Sequence, residues 1–236
     1  MKIAVLGTGG GGRAHAAKLA ELGHDVIVGT RDPEATLART EPDMMGNPPY
    51  GQWLAEHPGI RLATFAEAAA AADELVINGI DGHNAVRALT AIADRLAGKV
   101  LIDYAVPFIY NPEVEHPWLT PWGVMPKLDP CDTDSLGEQI QRALPETRVV
   151  KAFVTQEQET VVDPQAIGGG DHTMFVAGDD ADAKQVATDL LKSYGWTDIL
   201  DLGGLVCARG MEMYAHMHSA IQFGLGGARF GVKIVR

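Results

Sequence analysis

Residues 2–31 read KIAVLGTGGGGRAHAAKLAELGHDVIVGTR, and the order of elements in them decides the fold. Residues 2–7 (KIAVLG) form an apolar, β-branched run of the kind found in strands buried on both faces. Gly7-Thr8-Gly9-Gly10-Gly11-Gly12 follows, then Arg13 to Leu22 with apolar residues at helical spacing and Gly23 just past the helix end. Asp25 to Gly29 makes a second strand. Strand, glycine loop, helix and strand add up to one βαβ unit. Gly7, Gly9 and Gly12 stand in G-x-G-x-x-G spacing. The first glycine permits a tight turn, the second lets backbone approach a pyrophosphate, and the third lets the helix lie close on the strand. Backbone N–H groups along Thr8, Gly10 and Gly11 then face the phosphates at the helix start. A glycine turn used for packing alone is the competing reading; the position between strand and helix is the context that dinucleotide binding demands.

The end of the second strand selects the dinucleotide. Sites for NAD usually carry Asp or Glu there to meet the ribose 2′-hydroxyl, whereas this chain has Thr30-Arg31-Asp32. Arg31 suits a 2′-phosphate and Thr30 offers a hydroxyl, which favours NADP(H). In the competing reading Arg31 is a solvated loop residue and Asp32 a helix cap before Pro33; Asp32 also suits a contact with a ribose, which would blur the preference.

Further along, strands are expected over residues 61–64, 74–80, 99–103, 148–154 and 173–177, with one more extended segment over 196–202. Helices are expected over 65–72, 84–96, 136–144, 181–194 and 208–223, the third signalled by capping-box spacing at Ser135 and Glu138. The fold class is therefore α/β, a Rossmann-type, doubly wound, mostly parallel sheet. Residues 1–200 form the dinucleotide-binding domain and 201–236 a small C-terminal helical segment packed on it. Residues 40–60 and 105–134 read as long, proline-bearing loops. Trp118 and Trp122 in the second loop suit either a lid or plain packing.

Ligands of open α/β sheets lie beyond the carboxyl ends of the strands. That places Asn78, Gly79, Ile80 and His83 after one strand, and Ala105, Val106 and Pro107 after the next, around the nicotinamide and its ribose. His83 equally suits a helix cap or a surface position.

The chain has 236 residues, 19 basic against 31 acidic, a formal charge of -12 and 46% hydrophobic residues. Such a surface repels nucleic acid, so none is expected as a partner. Cys131 and Cys207 are too few and too far apart for a disulfide framework or a zinc pattern, and His216 and His218 point apart on a helix, so no metal is expected. No charged-then-apolar leader and no membrane-spanning run is visible, which gives a cytoplasmic expectation. The tail helix carries Met211, Tyr214, Ala215, His218, Ile221 and Leu225 on one stripe, with apolar residues on other faces too, as in a buried homodimer interface.

The opening MKIAVLGTGGGGRAHAAKLAELGHDVIVGTRDP resembles the NADPH-dependent deazaflavin reductases, also called coenzyme F-420-dependent (F420-dependent) NADP oxidoreductases. The similarity continues at Asn78 to His83, at Ala105-Val106-Pro107, at Val149 to Phe153 (VVKAF) and at Asp201 to Glu212 (DLGGLVCARGME), and is weakest in the two long loops. The resemblance implies a single Rossmann-like domain with a small C-terminal part. It also implies NADP(H) bound by the Gly7–Gly12 loop and by Thr30 with Arg31, and a deazaflavin in a neighbouring cleft that exchanges hydride directly with the nicotinamide. One departure stands out: the family tends to carry Asn or His after K-A-F, where this chain has Val154.

Direct hydride transfer between two rings requires contact and exclusion of water rather than side-chain acid or base, so no catalytic residue is required. Val106, Pro107, Gly203 and Gly204 are expected to wall the hydride cleft. A small carbonyl or imine substrate would need a proton donor, for which Tyr104, His83 and Lys151 are the candidates. A ferric or flavin reductase and a non-catalytic NADP(H) sensor are the other readings of the same fold.

Overall fold

Alternation along the first strands shows how the sheet is covered on both faces. In a computed structural model describing residues 1–43, 46–109 and 126–236, β1 (Lys2–Leu6) sends Ile3 and Val5 to one side and Ala4 and Leu6 to the other, all fully buried. On the first side they meet Ala16 and Leu19 of α1 (Gly10–Glu21). On the second they meet Ala68 and Ala69 of α4 (Phe65–Ala71). The same two-sided packing recurs along β2 (Asp25–Thr30), β4 (Leu75–Asn78), β5 (Val100–Asp103) and β8 (Arg148–Ala152). With β3 (Arg61–Thr64), β9 (Thr173–Gly178) and β10 (Asp198–Asp201), they form an eight-stranded sheet in the order β10-β9-β8-β5-β4-β1-β2-β3. The chain steps outward from β1 to β2 and β3, then returns to place β4 on the other side of β1. The crevice between β1 and β4 is the switch point where such folds bind ligands.

The expected βαβ start is present, and Gly23 ends α1 at φ 83° with Gly23 N–H bonded to Ala20 O and His24 N–H to Leu19 O, a Schellman closure. Asp32 caps α2 (Pro33–Leu37) by accepting from Ala35 N–H, with Pro33 in the first turn. A full capping box lies at Thr64 and Glu67, opening α4. At α7 (Leu136–Ala143) Ser135 accepts from Glu138 N–H, while the Glu138 carboxylate engages the Ser135 hydroxyl and Arg209.

Several boundaries differ from the sequence expectation. The single helix expected over 84–96 is two, α5 (Gly82–Thr90) and α6 (Ala93–Leu96), broken where Ile92 leaves helical geometry. The strand expected to reach 154 stops at Ala152, because Phe153 adopts φ 68°. The first long loop contains α3 (Tyr50–Ala55), pinned by Arg13, which donates to Pro48 O and lies over the Tyr50 ring. The second is flanked by an antiparallel pair, β6 (Phe108–Ile109) and β7 (Lys127–Leu128); Trp118 and Trp122 fall outside the described residues. A short helix, α8 (Gln158–Val162), follows β8.

β9 runs antiparallel to β8, the one reversal in the sheet. Hydrophobic runs carry no direction, so the sequence did not reveal it. After α9 (Ala181–Tyr194) and β10, the tail helix α10 (Ala208–Gly224) buries Met211, Glu212 and Ala215, and residues 231–236 return to the start of β9 and β10.

Candidate functional site

The glycines of the loop meet different steric demands. Gly7 at φ 122° brings its Cα against Gly79 O, where a Cβ would sit 2.5 Å away. A Cβ on Gly12 would overlap Gly7 O, so the helix can approach the strand only without one. Gly9 has nothing within 4 Å of where a Cβ would be and lines the cleft with Gly7 and Thr8, leaving its backbone bare to a ligand. Gly10 and Gly11 do not line the cleft: a Cβ on Gly10 would press on Asn47, and one on Gly11 on Gln158 and the Tyr104 hydroxyl. No side chain caps the start of α1 and its first turn has no acidic residue, which leaves the helix N-terminus to an anion.

The cleft that opens here holds about 700 Å³. At one end lie Thr30, Arg31, Thr36 and Arg39. The Thr30 and Thr36 hydroxyls are 2.9 Å apart; with Thr36 donating, the Thr30 proton is free for a ligand. Among the described residues neither Arg31 nor Arg39 makes a hydrogen bond or ion pair, whereas the Asp32 carboxylate accepts from Ala35 N–H at 2.9 Å. Arg39 and Arg87, the second and third guanidiniums in the lining, escaped the sequence reading because both lie within helical or loop stretches that look like solvated surface.

At the other end Gly79, Ile80, Tyr104, Ala105 and Val106 form the wall, joined by Phe108 and Gln158. Asn78 was expected there but is wholly buried: its register partner is Asp103, to which Nδ2 donates at 2.8 Å, while Oδ1 accepts from Ile80 N–H. His83 is exposed on α5, whose inward positions are Gly82, Ala85 and Leu89, and it does not reach the cleft. Pro107 is buried with its Cα against Gly82 rather than in the lining. Gly203 and Gly204 also stand apart. Gly178 N–H bonds Gly203 O, and neither Gly203 nor Gly204 is in the cleft lining, although Leu202 and Cys207 beside them pack in one cluster with Val106. Lys151 is fully buried with three partners and is no proton donor to a ligand.

Tyr104 is the one acid candidate that lines the cleft. Burial, with Asp103 and Glu159 nearby, drives its pKa far above the ordinary phenol range, so it stays protonated. Behind it lies His15, unnoticed in the sequence: its ring stacks on Phe153 at 4.8 Å, Nε2 bonds Gln158 at 2.8 Å and Nδ1 bonds Tyr194 at 3.2 Å. Burial pulls its pKa down to about 4, so it is neutral near pH 7. Val154 packs with Ala177 and Met211, one layer behind Val106. Among the described residues no three His, Cys, Asp or Glu side chains gather as a metal site, and no helix is long and apolar enough to cross a membrane.

A bare glycine loop at a β1/β4 switch point, with unpaired arginines at the end of β2, defines a dinucleotide-binding protein of the Rossmann oxidoreductase class. Residues 2–107 match the family described as NADP oxidoreductase, coenzyme F420-dependent. An F420-dependent NADP reductase of Methanothermobacter marburgensis is 31% identical over 220 residues, spanning 90% of this chain and 88% of that protein. A solved structure from Arthrobacter sp. FB24, provisionally described as an F420-dependent NADP reductase, is 49% identical with TM-score 0.89 and covers 100% of both chains. The metalloreductase STEAP3 of Rattus norvegicus is 26% identical over 89% of this chain, which spans only 36% of that longer protein. The chain belongs to the coenzyme F420-dependent NADP oxidoreductase family and is an NADP(H)-dependent oxidoreductase.

Proposed function

We propose that this protein transfers hydride between NADP(H) and coenzyme F420 in the cytoplasm, with small-molecule redox ligands as its only substrates. The coenzyme half of the reading rests on the adenosine end of the cleft, where Arg31 and Arg39 are unpaired and one oxygen of the neighbouring Asp32 carboxylate caps the helix at Ala35 N–H. A site for NAD usually places the carboxylate directly at the strand end, where this chain has Thr30 and Arg31. The residues fit the larger anion: Gly9 leaves room for a pyrophosphate, and the Thr30 hydroxyl and two guanidiniums suit a 2′-phosphate. The nicotinamide, when bound, supplies or accepts the hydride. The chain's task is to seat that ring against Gly79, Ile80 and Val106 and keep water out. Val106 and Phe108 offer an apolar wall suited to a flat partner ring. The F420 half rests on the names of the relatives and on the family.

The deciding experiment is NADPH oxidation assayed against F420, free flavin, ferric chelates and small carbonyls. Fast turnover with F420 and not with NADH in place of NADPH is expected. Faster reduction of any other acceptor would correct the acceptor, and failure to bind NADPH would refute the coenzyme. We further infer a homodimer through the outer face of α10, where Met213 and Met217 are 37% and 58% exposed beside Val206 and Leu225.

A further inference from the structure

Two stretches that the sequence singles out, Val149–Phe153 and Asp201–Glu212, contribute nothing to the cleft lining, yet they meet inside the molecule. The ammonium of Lys151 donates to Asp103 Oδ2 at 2.7 Å, to Ala105 O at 2.6 Å and to Glu212 Oε1 at 2.8 Å. The other Asp103 oxygen accepts from Asn78 Nδ2 at 2.8 Å and from Ala105 N–H at 3.2 Å. Both backbone groups of Ala105 are therefore held, the N–H by Asp103 and the carbonyl by Lys151. Glu212, reaching in from α10, also accepts from Leu136 N–H at 2.8 Å and Gly137 N–H at 3.0 Å at the start of α7.

Backbone N–H groups offset the excess negative charge of this arrangement. Lys151 faces two carboxylates, and the second of them also sits on a helix N-terminus. Burial alone would lower the lysine's pKa, but Asp103 and Glu212 outweigh it and hold it above its ordinary value. A buried ionic cluster of this kind is weak as a source of stability, because desolvation offsets most of the attraction and packed apolar side chains do as well. What it supplies is a fixed geometry, provided every donor and acceptor is used, as here. The geometry it fixes is that of Ala105, between Tyr104 and Val106 on the reacting wall of the cleft.

We propose that Lys151 and Glu212 are positioning residues: through the Ala105 peptide they set the wall that seats the nicotinamide, while taking no part in holding the adenosine half. This rests on the NADP(H) reading above. The test uses full-length Glu212→Gln, which keeps the side-chain shape, and Lys151→Met. Each is titrated with NADPH and with 2′,5′-ADP, which carries only the adenosine half. In the variants 2′,5′-ADP should bind within about twofold of the unsubstituted chain, while NADPH affinity drops about tenfold and the fluorescence gain of bound NADPH is lost, because a small displacement of the wall unseats the ring. Unchanged NADPH affinity in a folded variant, parallel weakening of both ligands, or loss of fold in both variants would overturn the assignment. Failure of the unsubstituted chain to bind 2′,5′-ADP would instead overturn the NADP(H) reading itself.

Discussion

Arg39 and Arg31 share one end of the cleft with Asp32, and their worth is measurable one at a time. A charge-assisted bond to a phosphate contributes about 1.5–3 kcal/mol, so Arg39→Ala and Arg31→Ala should each reduce the preference for NADPH over NADH about tenfold or more. Competition binding of the two nucleotides checks this; an unchanged ratio for Arg39→Ala removes it from the phosphate site. His15 gives a pH signature. Its pKa is about 4 in the folded chain against an ordinary 6.5, so the unfolded chain binds a proton first as pH falls. Stability from keeping this ring neutral is complete above pH 6.5 and declines down to about 4, by about 3 kcal/mol in all. Urea unfolding of the native chain and of His15→Gln over that window should show the extra slope in the native chain only. At this scale the sequence disclosed what spacing encodes, the close backbone approaches that Gly7 and Gly12 permit. It misplaced Asn78 and His83, because proximity to a strand end does not reveal which way a side chain turns, and it missed His15, Gln158 and Arg39, whose roles depend on partners far along the chain.

Among the elements, strands were legible where apolar runs are long and buried on both faces, as in β1, β4 and β5. Direction and short interruptions were not, since neither the reversal of β9 nor the break at Ile92 leaves a mark in periodicity. The capping box at Thr64 and Glu67 was also unread, though the T-x-x-E spacing was there to find. Thr64→Ala should cost α4 about 1 kcal/mol, lowering Tm by about 2–4 °C in a chain of this size, as calorimetry would show. An unaltered Tm would mean that packing of Ala68 and Ala69 alone holds the helix on β1 and β2.

At the level of the whole molecule, α10 has two sides with separate uses. Its inner side carries Glu212 into the Lys151 cluster, and its outer side presents Met213 and Met217. Light scattering at micromolar concentration should give twice the chain mass, and Met217→Asp should halve it; a monomeric native chain would rule out that interface.

Residues 231–236 bear on how the protein keeps. β10 is an outermost strand, and residues 231–236 fasten across its start: Lys233 pairs with Asp171 and Asp198, Arg236 with Asp198, and Val232 O accepts from Thr173 N–H. A bare rim of a sheet is a template on which other molecules stack strand by strand, and charge laid over it is a common safeguard. Residues 231–236 lay such charge at the start of this rim, and a chain lacking them should turn cloudy on storage well before its coenzyme binding fades.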